Sequence, residues 1–120
     1  MSDISGQVLS VSAKKGTKRE YETILILRPS SNKTNILDLI HKMQAMFDKF
    51  GARIIKIENW GNRTLAYSIK RSPTGIYLYW RYIGGSDIVH EFERNLRIMD
   101  SILRYYTVKV DEDVDATARP

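Results

Sequence analysis

Cysteine is absent from the 120 residues, so disulfide frameworks, thiol nucleophiles and thiolate zinc sites are excluded together. Histidine occurs only twice, at His41 and His90, too rarely for a His-rich catalytic metal centre. No apolar stretch approaches the roughly 20 residues that a bilayer-spanning helix needs, so no membrane partner is expected. A glycine-rich phosphate loop of the nucleotide-binding kind is missing, and no internal repeat is visible. Acidic residues run short where basic ones gather. Residues 53–85 hold Arg53, Lys56, Arg63, Lys70, Arg71 and Arg81 against Glu58 alone, a net charge of +5.

What remains is an ordinary single-domain composition, 42% hydrophobic and 28% charged, with a formal net charge of +5. For so small a domain, that balance points to a polyanionic partner. The chain divides into three parts. Residues 1–19 carry Lys14, Lys15, Lys18 and Arg19 against Asp3 and read as a flexible basic arm. Its short apolar patch, Val8, Leu9 and Val11, precedes the charge, the reverse of a secretory signal. Asp3, and the lack of arginine before Arg19, weigh against a mitochondrial presequence. Residues 20–110 form the expected folded domain. Residues 111–120 hold Asp111, Glu112, Asp113 and Asp115 against Arg119 and read as an acidic disordered tail.

Inside the domain the hydrophobic period alternates between that of a strand and that of a helix. Residues 20–28 are β-branched and end before Pro29, which reads as a strand. Asn32 is the expected N-cap of a helix from Lys33 to Phe50. Ile36, Ile40, Met43, Phe47 and Phe50 mark its apolar stripe, and Gly51 is its natural stop. Residues 53–58 resume strand character. Gly61-Asn62 is either a hairpin turn or a bend within one strand continuing to Ile69, and Ser72-Pro73-Thr74-Gly75 reads as a turn. Residues 76–83 form an aromatic strand. Gly84-Gly85-Ser86 breaks it, and Ser86 with Asp87 opens a second helix, whose apolar positions are Val89, Phe92, Leu96 and Met99. Residues 102–110 supply the last strand, with Tyr106, Val108 and Val110 on one side.

The order strand, helix, strand, strand, helix, strand implies an α+β, ferredoxin-like split βαβ sandwich. Both helices then cover one face of a four-stranded antiparallel sheet and leave the other open. Alternation puts Ile76, Leu78, Trp80 and Tyr82 toward the helices, and Tyr77, Tyr79, Arg81 and Ile83 on the opposite face. Rings interleaved with a guanidinium suit base stacking or an apolar protein partner. Gly75 to Tyr79 also faintly resembles the aromatic strand of RNA-recognition motifs.

A stronger resemblance lies one segment earlier. Gly61-Asn62-Arg63-Thr64-Leu65-Ala66-Tyr67-Ser68-Ile69-Lys70 resembles the signature of the bacterial small-subunit ribosomal protein six family. Tyr21-Glu22, Pro29, Phe50-Gly51-Ala52, Gly75-Ile76-Tyr77 and the run Leu96 to Tyr105 agree in order and spacing. Departures are Ser68, where the family often has proline, Thr64 in place of a larger polar side chain, and the N-terminal arm. The resemblance implies a non-catalytic constituent of the small ribosomal subunit, cytoplasmic rather than organellar. It implies binding to small-subunit ribosomal RNA as a heterodimer with small-subunit protein eighteen, with no cofactor and no small-molecule substrate.

On this reading Arg63, Lys70 and Arg71 neutralise RNA phosphates, with Arg53, Lys56 and Arg81 as weaker candidates. Trp60, Tyr67, Tyr77 and Tyr79 are candidates for contact with the protein partner. Strand alternation groups Arg63, Leu65, Tyr67, Ile69 and Arg71, and the apolar members of that group suit either the core or an interface. His41 reads as a surface residue. His90, Glu91 and Glu93 are adjacent on a helix, point in different directions and make no metal site. Met43, Met46 and Met99 read as core filling, and Asp111 and Asp113 lack a pocket that would fit them for acid–base chemistry. Two alternatives stay open: an acylphosphatase-type enzyme on the same fold, and a self-associating module that binds a small ligand.

Overall fold

The computed structural model describes residues 18–112. The expected arm and tail lie almost wholly outside them. Six elements follow one another: β1 (Arg19–Leu27), α1 (Lys33–Lys49), β2 (Arg53–Ile69), β3 (Ser72–Gly84), α2 (Ser86–Arg97) and β4 (Ile102–Glu112). The strands form one antiparallel sheet in the order β2-β3-β1-β4, the ferredoxin-like arrangement. β1 begins at Arg19 and β4 runs to Glu112, with Arg19 opposite Glu112 in the ladder.

The helix ends follow their local chemistry. Asn32 Oδ1 accepts from Asn35 N at 2.8 Å, and Asn35 Oδ1 accepts from Asn32 N at 3.0 Å, a reciprocal cap that satisfies two orphan donors of α1. At the other end Gly51 takes φ +70, which lets Ala52 N reach Phe47 O at 2.9 Å and Gly51 N reach Asp48 O at 3.1 Å. Those two bonds make a Schellman stop. In α2, Ser86 is the first helical residue and Gly85 the cap, so the expected serine cap is not formed. Asp87 instead turns its Oδ1 to Ile88 N at 2.9 Å.

The buried stripe of α1 is Leu39, Met43 and Phe47. Ile36 and Ile40 flank it half-buried, while Phe50, beyond the last turn, is exposed. α2 buries Ile88, Phe92 and Leu96, one position away from the expected Val89, which flanks them with Met99. These side chains meet Tyr21, Leu25 and Leu27 of β1 and Leu78, Trp80 and Tyr82 of β3. At the centre, Phe47 packs edge-on against Tyr82 and Phe92, with both centroids 5.0 Å away. Thr23 is fully buried and shares 2.8 Å hydrogen bonds with the hydroxyls of Tyr82 and Thr107, tying β3, β1 and β4 together.

The β2–β3 pair settles one open alternative and corrects the expected turn. β2 is a single 17-residue strand, so Gly61-Asn62 is a bend and not a hairpin turn. Gly61 takes φ +89 where the ladder slips between Asn59 and Gly61, and Asn59 Oδ1 accepts its N–H at 2.8 Å. This is a glycine bulge. The reversal falls at Lys70-Arg71, between the paired Ile69 and Ser72, and Ser72 to Gly75 are strand, not turn. Both turn residues have positive φ, 48° and 68°, the handedness of a two-residue type I′ hairpin. Pro73 cannot donate to the ladder, and the register slips between Thr64 and Ile69 opposite it.

Removing the Phe47 ring by Phe47→Ala should lower unfolding free energy by about 3–5 kcal/mol, read from urea midpoints. Leu37→Ala, on the exposed face of the same helix, should change it by less than about 0.5 kcal/mol.

Candidate RNA and protein interface

On the open face β1 presents Glu20, Glu22, Ile24 and Ile26 next to Tyr77, Tyr79, Arg81 and Ile83 of β3, because the register pairs Glu22 with Arg81 and Ile26 with Tyr77. The Arg81 guanidinium bonds the buried Glu20 carboxylate and lies 3.6 Å from Glu22. The hydrogen bond that Arg81 donates to Glu20 raises the arginine's affinity for its proton further. Tyr79 Oη donates to Glu22 Oε2 at 2.5 Å. Arg81 is therefore neutralised within the sheet.

A stack of planar groups crosses from β3 to β2. Trp60 lies parallel to Tyr79, with centroids 5.1 Å apart and planes within 9°. Its indole N–H donates to Glu58 Oε1 at 2.9 Å, and this bond, more than the nearby Lys56 charge, holds the Glu58 carboxyl below its ordinary range. Lys56 sits 3.5 Å from Glu58 and 5.9 Å from the Tyr79 ring centroid. Tyr79, expected as an exposed contact, is only 7% exposed because Trp60 covers it. The Gly61 bulge that follows Trp60 is what a plain alternation pattern does not anticipate.

Arg63 is placed differently from Arg81. Its guanidinium lies 5.7 Å from the centroids of both Trp60 and Tyr77, and its Nε donates to Trp60 O at 3.2 Å. These neutral partners fix the side chain without cancelling its charge. Lys70 Nζ donates to Ile102 O at 3.2 Å, and Arg71 is exposed beside it in the turn. Neither Arg63, Lys70 nor Arg71 is ion-paired with a described carboxylate. Arg53 is exposed at the far end of β2, opposite Ile83.

The question left by alternation resolves residue by residue. Leu65 is buried with Ile26 and Leu103 in a small second core, with Ile69 and Tyr77 packed on it. Tyr67 is 62% exposed. It borders a slot of about 160 Å³ shared with Tyr77, Arg104 and Tyr106. Tyr106, Val108 and Val110 continue this apolar surface as an exposed row along β4. Arg104, whose guanidinium donates to Tyr67 Oη at 3.0 Å and lies 5.6 Å from that ring's centroid, was not anticipated. The period-2 alignment of Arg104 with Tyr106 and Val108 was its only signal.

Glu91 pairs with Arg94 at 2.7 Å, which lowers its pKa, while His41 and His90 are exposed. Among the described residues no group of three or more His, Asp or Glu side chains could hold a metal ion. No described helix is long and apolar enough to cross a membrane. Arg28, in the loop after β1, donates its Nε to Asp100 O at 2.9 Å.

Residues 20–109 match the family model described as ribosomal protein S6. The chain belongs to the ribosomal protein S6 family. It is 39% identical over 100 residues to the small ribosomal subunit protein bS6 of Citrifermentans bemidjiense, covering 83% of this chain and 75% of that one. To the bS6 of Geobacter sulfurreducens it is 37% identical over 100 residues, covering 83% and 86%. The crystal structure of 30S ribosomal protein S6 from Thermotoga maritima superposes with a TM-score of 0.71 at 24% identity, over 78% of this chain and 88% of that one. That similarity carries the fold alone. The S6 family consists of structural ribosomal proteins rather than enzymes, which removes the acylphosphatase-type alternative.

Burial pushes the phenols of Tyr79 and Tyr82 up to about 12, helped at Tyr79 by the Glu22 carboxylate. A tyrosine in the unfolded chain ionises near pH 10, so the folded chain holds these protons longer than the unfolded one. Their contribution to stability is complete below pH 10 and is lost as pH rises toward about 12. Urea midpoints should fall across that window. The fall should be shallower in Tyr82→Phe, which removes one of the two phenols.

Proposed function

We propose that this chain is a structural, non-catalytic constituent of the small ribosomal subunit in the bacterial cytoplasm. On this reading its open sheet face binds small-subunit ribosomal RNA and docks the neighbouring small-subunit protein eighteen. The coarser part follows from membership of the S6 family, whose relatives in Citrifermentans bemidjiense and Geobacter sulfurreducens are named small ribosomal subunit proteins. The finer assignments rest on how the open face is built.

The observation that carries the RNA assignment is the contrast between Arg81 and Arg63. Arg81 is spent on Glu20 and Glu22. Arg63 is held by two rings and a carbonyl, so its full charge faces outward. With Lys70 and Arg71 at the hairpin tip it makes an edge of positive charge along β2. Phosphate contacts of this kind position a protein on folded RNA and carry little sequence information. Shape and the second protein would then supply specificity.

The protein contact is assigned to the apolar row. Tyr67, Tyr106, Val108 and Val110 are exposed large side chains, of which Tyr67 and Tyr106 border the slot beside Tyr77. Trp60 lies beside Arg63 of the cationic edge. Tyr79 is under Trp60 and contributes by supporting it. The self-association reading uses the same surface. It is distinguished by sedimentation, where a tight homodimer without RNA affinity would favour it.

Reversing both charges in Arg63→Glu/Arg71→Glu should weaken binding to a central-domain fragment of small-subunit RNA by about tenfold or more, and lower the salt slope by about two. The circular dichroism spectrum should be unchanged, since both side chains are exposed. Filter binding across a salt titration checks this, and unaltered binding would contradict the assignment. Tyr106→Ala/Val108→Ala should weaken assembly with protein eighteen by about tenfold or more while leaving the RNA salt slope at the wild-type value. Equal losses in both assays would show that the two surfaces are not separate.

A further inference from the structure

A second basic feature lies around the corner from the Arg63 edge, and it draws on three elements. Lys70 of the hairpin turn, Arg97 of the last turn of α2 and Arg104 of β4 line one notch of about 240 Å³, together with Leu96, Leu103 and Tyr105. Among the described residues no carboxylate lines it. Each cation is fixed by a neutral oxygen: Lys70 Nζ by Ile102 O at 3.2 Å, Arg97 Nη1 by Tyr105 Oη at 3.2 Å and Arg104 Nη1 by Tyr67 Oη at 3.0 Å. None of the three is ion-paired with a described carboxylate.

Three like charges line this one notch at the β4 edge and repel one another, and a sequence selected for stability alone would place an acid among them. Each cation is held by a hydrogen bond that consumes one N–H and leaves the others free. The Tyr105 hydroxyl, which accepts from Arg97, has its own proton to donate into the same space. Leu96 and Leu103 keep part of the wall apolar, which strengthens the attraction of an anion once it is seated. The Lys70-Arg71 turn sustains left-handed backbone at two residues that are not glycine, a local strain of the kind met at binding sites.

We infer that the notch formed by Lys70, Arg97 and Arg104 is a phosphate site that seats a phosphodiester of RNA, with Tyr105 as a fourth donor. The inference rests on the RNA-binding reading and extends it beyond the sheet face to the last turn of α2. It accounts for two guanidinium groups outside β2 that have no described carboxylate partner. The notch adjoins Arg71, so one strand of backbone can pass from the hairpin tip into it.

The test is filter binding of the full chain to a central-domain fragment of small-subunit RNA across a potassium chloride titration. Arg97→Gln/Arg104→Gln should reduce the slope of log affinity against log salt by about 1.4–1.8, since each phosphate contact contributes about 0.7–0.9. Lys33→Gln/Lys42→Gln on α1 loses the same net charge and should keep the wild-type slope. If the double variant fails to fold, Arg97→Gln and Arg104→Gln singly should each remove about one contact's share of the slope. Wild-type slope in the notch variants, with tight wild-type binding, overturns the notch and leaves the RNA reading standing. Equal reduction in the α1 control overturns it too, because net charge would then be the cause. No binding by the wild-type chain overturns both. An unchanged RNA slope together with lost binding to polyglutamate would reassign the notch to an acidic peptide.

Discussion

The sidedness of the sheet governs everything else in this structure. Two helices connect strands in the order β2-β3-β1-β4, and both crossovers lie on one side, as right-handed connections of a split βαβ unit require. Tyr21, Leu25, Leu78, Trp80 and Tyr82 are thereby consumed by the core with α1 and α2. The opposite face receives no covering helix from the described residues, whose contacts there run in the plane of the sheet. Those contacts are the Glu20–Arg81–Glu22–Tyr79 network, the Trp60–Tyr79 stack and the small cluster around Leu65.

These lateral contacts sort the surface chemically. Where acids of β1 meet a cation of β3, charge is cancelled and Tyr79 is sealed. Where β2 and β4 run beyond the acids, guanidinium groups rest on Trp60, Tyr77 and Tyr67, and their charge survives. A cation over a ring is held about as firmly as one in an exposed ion pair, yet it still attracts a polyanion. The apolar row of β4 lies beside this charged border, so one face can serve two partners at once.

Much of this was legible in the chain because it depends on local rules. Asn32 and Gly51 mark the ends of α1 through capping chemistry alone, and the alternation in residues 76–83 gives the correct face for Trp80 and Tyr82. The Lys70-Arg71 reversal was not legible, since positive φ is expected of glycine or asparagine and the Ser-Pro-Thr-Gly run downstream advertises a turn more loudly. The fate of Arg81 depends on register: Glu22 stands opposite it only once β1 pairs with β3, a contact 59 residues apart in sequence. Tyr79 is covered because the Gly61 bulge accompanies a turn of Trp60 over it. Arg104 carries no motif, and the chain folded in space is what brings it to Lys70 and Arg97.

The claim that the uncovered face is the docking plate is tested most directly by hydroxyl-radical footprinting of the free chain and of the chain assembled into small subunits. The account predicts strong protection on assembly at Trp60, Tyr67 and Tyr106, with little change at Leu37 and Ile98, which are exposed on and after the helices. Protection of Leu37 and Ile98 with Tyr67 and Tyr106 left reactive would contradict it.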